Sequence, residues 1–288
     1  MTAAALNLAP GLYRRGTIDY ASIDAINFST LKYMAKSPLH YRHALDNPKP
    51  STTPMRLGTA AHTAVLEPSR FITDYAVFEP EEGKAPRRGT KAWEAFAAAN
   101  DGKELLKQVE FDAAMRMRDA VRGNVDAMRY LKRGDAEVTL VWQDKETGLW
   151  LKGRVDFISS AVGDVIADLK TARDVSPWAF QSAYAKLQYH MQAAMYADAL
   201  ESITGRPAYH KCIAVESTEP HDVVVYDVIG EPLELGRELY RELLGKVVEC
   251  RSKNEWPGAS AGAEVSLRLP AWAVPDEADD LADLGLEQ

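Results

Sequence analysis

The chain has 288 residues, 46% of them hydrophobic and 26% charged. That is enough to bury a large core and is ordinary for a globular protein, so disorder as a global description is excluded. The net charge is −8, but six acids and no base fall in the last fourteen residues, and without those six the rest stands at −2, a balance that neither advertises nor forbids a nucleic-acid partner.

Residues 1–18 read as a flexible arm. A helix is expected from residue 29, with Ser29 as its N-cap and Leu31, Met34 and Ala35 on one face. Ser37-Pro38 reads as a cap and a first-turn proline for a second helix over 39–45, and 47–51 as a loop. Leu57, Ala61, Ala64 and Val65 sit at helical spacing within 55–67, and Pro68 stops that helix. A strand over 75–78 and a charged loop over 79–89 precede helices over 93–99 and 103–131. The second carries Leu105, Val109, Ala113, Met117 and Val121 at three-to-four spacing. The period then changes to two. Strands over 137–142, 149–158 and 165–170, with turns at 145–148 and 159–163, make a meander. One long helix is expected over 177–204, with Phe180, Tyr184, Leu187, Met191, Met195 and Leu200 on its apolar side. Strands over 208–216 and 223–229 and a helix over 233–251 follow, and the acidic stretch 271–288 is expected to be disordered. This order predicts one α/β or α+β domain, over 19–270, with a helical N-terminal part, and α/β is the class expected. No apolar run approaches the roughly 18 residues of a membrane span, and residues 1–16 lack the pattern of a secretory leader, so a cytoplasmic protein is expected.

The meander carries the chemistry. Its second strand delivers Asp156, and its third delivers Asp168 and, two residues on, Lys170. Residues i and i+2 of a strand share a face, so Asp168 and Lys170 point the same way. A hairpin about 159–163 brings Asp156 near Asp168. Two adjacent carboxylates repel unless a positive charge lies between them. Oxygen ligands favour Mg²⁺ or Mn²⁺, the Leu169 carbonyl is a further candidate ligand, and a nearby lysine suits phosphodiester hydrolysis. The plain alternative is a solvated strand face with surface ion pairs. Against it, Val165, Ile166, Ala167 and Leu169 mark the strand as interior.

Asp156, twelve residues, then Asp168-Leu169-Lys170 resembles the PD-(D/E)xK nuclease signature. Gly58-Thr59-Ala60-Ala61-His62 resembles the Gly-x-x-x-His motif of the RecB-like branch, and Gln192-Ala193-Ala194-Met195-Tyr196 its Gln-x-x-x-Tyr motif. Together with Ser29-x-Leu31-Lys32, Ser37-Pro38-x-x-Tyr41, Leu57 through Pro68 and Gln188-Tyr189-His190-x-Gln192, these are similar to the RecE-type exodeoxyribonuclease VIII catalytic domain of phages and prophages, over residues 20 to 260.

That resemblance implies a restriction-endonuclease-like core, a mixed central sheet flanked by helices. It implies a Mg²⁺-dependent exonuclease on linear double-stranded DNA, with Mn²⁺ as substitute, running 5′ to 3′ and leaving a 3′ single strand for recombination. It further implies a ring-like homo-oligomer and a single-strand annealing protein as partner, in a bacterial host. Residue by residue, His62, Asp156 and Asp168 are the implied metal ligands and Lys170 the catalytic lysine. Gln192 and Tyr196, four apart on one helix face, are implied to touch DNA or the reacting water. Glu137, at the start of the meander, is implied to stand behind these ligands as a further carboxylate on the metal side. Each has a structural alternative: His62 as a packed core histidine, Gln192 and Tyr196 as the covering of a buried helix face. The basic clusters Arg14-Arg15, Arg87-Arg88-Lys91 and Arg129/Lys132/Arg133 are either solvated surface or grips for phosphate. Rival functions are an endonuclease or other DNA-processing nuclease on this fold, and a non-catalytic DNA-binding protein. The iron–sulfur nucleases that share the helix motifs need four cysteines. This chain has two, Cys212 and Cys250, so no iron–sulfur cluster is expected.

Overall fold

The computed structural model describes residues 8–48, 52–79, 87–161 and 163–269. The acidic stretch 271–288, the first seven residues of the expected arm and most of the charged loop before residue 87 lie outside them. The meander is as expected and longer. Strands β4 (Gly134–Gln143), β5 (Trp150–Ser159) and β6 (Val165–Ala172) pair antiparallel in sequence order. They sit in a six-stranded sheet of order β1-β4-β5-β6-β7-β8, completed by β1 (Gly11–Tyr13), β7 (Tyr209–Glu216) and β8 (Val223–Val228). Within this sheet only β6 and β7 pair in parallel, because the chain between them crosses over through helices, as a parallel connection requires. The short β1 corrects the expectation of a loose arm over 1–18: it adds to the sheet edge by pairing with β4.

Helices cover both faces. On one, α9 (Tyr189–Thr204) and α10 (Glu231–Lys253) pack Met191, Met195, Leu243, Leu244 and Val247 onto Leu140, Leu151, Val155 and Ile166. The N-terminal helices α1 (Phe28–Leu31) and α2 (Pro38–Asp46) close the end of that core with Phe28, Leu31 and Tyr41. On the other face α3 (Thr53–Leu66), α6 (Gln108–Gly123) and α7 (Val125–Leu131) bury Ala61, Val65, Met117, Val121 and Ala127 against Phe157, Ala167, Leu169 and Ile213.

Several boundaries differ from the sequence reading, each for a local reason. The cap of α1 is Asn27, whose side chain accepts from the Thr30 amide, so Ser29 lies inside the first turn and Ala35 is exposed. Ser37 does cap α2, accepting from the His40 amide. Pro68 ends α3 and opens α4 (Pro68–Asp74), since a proline suits the first turn of the next helix. The helix expected over 93–99 is α5 (Lys91–Ala99), whereas the one expected over 103–131 begins as a strand: β3 (Glu104–Lys107) pairs parallel with β2 (Tyr75–Phe78) in a second, two-stranded sheet, and Asn124 then separates α6 from α7. In consequence Val109 is exposed, and Ala114 rather than Ala113 is buried. The helix expected over 177–204 is two, α8 (Pro177–Lys186) and α9, broken where Gln188 takes a left-handed conformation with φ +58. Leu187, expected on the apolar side, is exposed at that break.

Candidate active site

The site forms where β5 separates from β6. Their paired register ends at Phe157 and Ala167, one residue short of Asp156 and Asp168. Beyond it the Leu169 amide, which a continuing ladder would leave to backbone, donates to Asp156 Oδ2 at 2.7 Å. The side-chain alternation also breaks here. Val155 and Val138 belong to the core under α9, whereas Phe157 and Ala136 belong to the core under α3. Residues two apart in a regular strand share a face, so both strands turn over at Asp156 and at its neighbour across the ladder, Glu137. Glu137 achieves this with φ +53 in the middle of β4, a conformation that costs a non-glycine residue of the order of 1 kcal/mol or more. The inversion swings Glu137 toward Asp156.

Helix α3 supplies the third member. Gly58, one turn before His62, lies so close to β6 that a β-carbon there would stand 3.2 Å from Thr171 Oγ1. The small residue lets α3 approach β6 and carry His62 to the strand gap, a physical reason for the Gly-x-x-x-His spacing. His62 Nδ1 is 3.5 Å from Asp156 Oδ2. One ligand atom each from His62, Glu137 and Asp156 lie within 4.8 Å of one another. Two carboxylates and an imidazole converging at that separation match the donor chemistry of a divalent-cation site.

Asp168 and Lys170 face α9 from the adjacent strand. The Lys170 ammonium is 2.6 Å from Asp168 Oδ2, donates to Gln192 Oε1 at 3.0 Å, and lies 4.5 Å from the centre of the Tyr189 ring. Gln192 Nε2 in turn reaches the Tyr196 hydroxyl at 3.4 Å. Tyr196 is seated by Gly153 of β5: a side chain at that glycine would overlap its ring. The break at Gln188 gives α9 the direction that puts Gln192 and Tyr196, four residues apart, toward the lysine.

Burial and charge set the ionisation. Burial drives Asp168 upward, Asp156 nearby adds to this, and the opposing Lys170 leaves its carboxyl at about 6. Burial also pushes Asp156 up, but His62 outweighs it, with help from Lys170 and the Leu169 amide, and holds that carboxyl below its ordinary range. His62 is disfavoured as a cation by burial, yet Asp156 raises it overall. Glu137 is raised by burial and by Asp156, with Arg15 opposing. Burial works against the charge on Lys170, but Asp168 and Asp156 hold it cationic well above its usual range. The two strands thus carry one carboxylate kept ionised and one kept ready to take a proton.

His62, Glu137, Asp156, Asp168, Leu169, Lys170, Gln192 and Tyr196 come together in this region, with two differences in the grouping of the carboxylates. Glu137, expected behind the ligands, stands in the carboxylate–imidazole trio, while Asp168, expected as a principal ligand, is outside it and engaged with Lys170. Leu169, whose carbonyl is the expected ligand, also donates its amide to Asp156. Arg15 was an undistinguished member of a basic cluster. It bridges Glu67, at the end of α3, to Glu137, whose Oε2 lies 3.5 Å away. Arg88 of the second cluster is structural: it bonds Glu110 through both nitrogens and the Leu105 carbonyl. His190 is partly buried and, like His40 and His43, stands outside the trio.

A mixed sheet flanked by helices, with this Asp and Asp-x-Lys pair on adjacent strands, defines a PD-(D/E)xK nuclease-like protein. The chain belongs to the family described as "PDDEXK-like domain of unknown function (DUF3799)", whose model matches residues 27–268. Among solved structures, it is similar to a protein from Eubacterium rectale described as "Putative exonuclease", with 14% identity and a TM-score of 0.59 over 90% of this chain and 93% of that one. SSO0001 aligns at 11% identity over 78% of this chain and 85% of that one; its TM-score of 0.30 is too low to define a shared fold. No curated protein matches the sequence. Family and fold together support a nuclease.

Proposed function

We propose that this chain is a divalent-metal-dependent exodeoxyribonuclease that hydrolyses linear double-stranded DNA. The observation that carries the proposal is the meeting of the His62–Glu137–Asp156 trio with the Asp168–Lys170–Gln192 chain at one gap between two strands. His62, Glu137 and Asp156 would hold the cation, with Asp168 adjacent. Mg²⁺ is the ion proposed, and Mn²⁺ the substitute. A cation bound there supplies Lewis-acid polarisation of the scissile phosphate.

The remaining roles belong to the side chains. Lys170 is kept cationic by Asp168 and Asp156, so it serves as a fixed positive charge for the negative charge that grows on the phosphate oxygens, not as a resting base. Gln192 holds the lysine through its amide oxygen, and Tyr196 holds Gln192. Asp168 couples the lysine to the metal side and can accept a proton near neutral pH.

The finer reading follows the RecE-type resemblance: 5′ to 3′ resection leaving a 3′ single strand for recombination, a ring-like homo-oligomer, a single-strand annealing partner and a bacterial cytoplasmic setting. Among the described residues no helix is long and apolar enough to cross a membrane. The acidic stretch 271–288 is proposed to dock the partner or discourage non-specific DNA contact, outside the exonuclease domain proposed over 19–270. A truncation after residue 272 that alters neither partner binding nor the salt dependence of DNA binding would remove that role.

The test is incubation of purified protein with Mg²⁺ and either end-labelled, 5′-phosphorylated linear duplex or covalently closed circular DNA, with EDTA controls. Loss of the linear duplex alone, with the 5′ label released first as mononucleotide, is expected. Cutting of the circle would replace the exonuclease reading by an endonuclease on the same fold.

A further inference from the structure

Arg154 precedes Asp156 by two residues on β5. Its neighbourhood is built with care, yet the guanidinium is left without a partner. The Tyr20 ring, from the segment between β1 and α1, lies across it, with the guanidinium carbon 4.5 Å from the ring centre. That ring is clamped in turn by buried Lys152, whose ammonium donates to the Tyr20 and Ile23 carbonyls at 2.9 and 2.7 Å and lies 4.6 Å from the same ring centre. Among the described residues, Arg154 makes no hydrogen bond or ion pair, and its Nε is buried with no partner. Asp156, two residues on, is engaged by the Leu169 amide and His62.

A desolvated donor left unpaired is unfavourable, and an arginine ordinarily swings to a carboxylate or to water. Here the Tyr20 ring lies against the guanidinium two residues along β5 from Asp156, and no hydrogen bond or ion pair among the described residues uses it. A planar, permanently charged fork suits the oxygens of a phosphate. We propose that Arg154, held flat by Tyr20, is the receptor for a backbone phosphate of the DNA strand at the site, placing the strand next to Asp156. This rests on the nuclease reading above and adds to it a substrate-binding residue outside the motif positions.

The test is cleavage of short duplexes in which one phosphate at a time, over the first few positions from the 5′ end, is replaced by an uncharged methylphosphonate. Wild-type protein, Arg154→Ala and Arg154→Lys are compared by kcat/KM with Mn²⁺. Wild type is expected to lose about 10- to 100-fold at one particular phosphate, the worth of a charge-assisted pair. Arg154→Ala is expected to be slower by a similar factor on unmodified DNA and indifferent to the methylphosphonate at that same phosphate. Arg154→Lys, which keeps the charge but not the fork, is expected to fall between. If Arg154→Ala does not fold, Tyr20→Leu carries the test: it is expected to reduce sensitivity at the same phosphate. Full wild-type sensitivity at every position in these variants, with wild type itself active, overturns the role of Arg154 and leaves the nuclease standing. Absence of cleavage by wild type removes both.

Discussion

Replacing Glu137 by Gln separates the proposed metal role of this residue from any role in holding the fold. The substitution keeps the shape and removes one charge. In the free protein that charge is unfavourable: burial and Asp156 both raise the Glu137 carboxyl, and a carboxyl whose folded pKa lies above its unfolded one lowers stability at neutral pH, where it must ionise. Two like charges at the 4.8 Å limit of the trio repel by about 3 kcal/mol at an effective dielectric constant near 20. The partly exposed pair with Arg15 returns about 0.5–1 kcal/mol of this, and Arg15 keeps Glu67 when Glu137 is neutralised. Metal-free Glu137→Gln is therefore expected to melt at the wild-type temperature or a few degrees above it. Metal binding is expected to move the other way. Loss of one anionic ligand weakens Mn²⁺ by at least about 10- to 100-fold, which removes about 1.4–2.7 kcal/mol of metal-induced stabilisation at saturating ion. Calorimetric titration with Mn²⁺ and thermal melts with and without it read both quantities. A variant that melts lower without metal and binds Mn²⁺ like wild type would refute the reasoning and make Glu137 a structural partner of Arg15.

Three other outcomes are expected. Lys170→Met should retain the fold, because the carboxyl of Asp168, already at about 6, takes up a proton when its cationic partner goes; DNA hydrolysis should fall by about 10²- to 10⁴-fold, and a retained rate would remove the lysine from the chemistry. Gly153→Ala puts a methyl into the Tyr196 ring and should cost about 1–3 kcal/mol in urea unfolding, with a loss of cleavage; wild-type stability would show that the ring moves freely. Divalent-ion affinity, followed by titration calorimetry in buffers of differing ionisation heat, should rise with pH between pH 5 and 7. A cation favours ionised Asp168 and neutral His62, whose pKa values stand at about 6 and above the usual histidine value, so each proton released contributes about tenfold per pH unit; an affinity that is flat or falls over that range would contradict the assigned ionisation.

The three meander strands were legible in the sequence because their alternation is strong and their turns are short. The site was legible because its members carry chemistry that a strand or helix interior rarely tolerates: Asp156, Asp168 and Lys170 among valines, isoleucine and leucine, and His62 on an alanine-rich helix. What escaped was set by long-range packing. Gly11–Tyr13 is three residues long and becomes a strand only because β4 has a free edge for it. Residues 104–107 continue the apolar spacing of the helix after them, and only the partner strand β2 makes them extended. Neither Gln188 nor Glu137 is a residue type that announces a left-handed backbone, yet those two positions turn α9 toward Lys170 and Glu137 toward Asp156. Arg15 meets Glu67 across 52 residues of sequence, a distance over which no local pattern speaks.

The account stands most directly on one comparison: release of acid-soluble nucleotide from linear duplex DNA by wild type and by Asp156→Asn, each with Mn²⁺, with Mg²⁺ and with EDTA. Asp156 receives both the His62 contact and the Leu169 amide, so the amide variant keeps a hydrogen-bonding side chain while losing the charge at the centre of the trio. Release by wild type in either ion, none in EDTA and none by the variant is the expected result. Release by the variant at the wild-type rate, or no release by wild type in either ion, would contradict it.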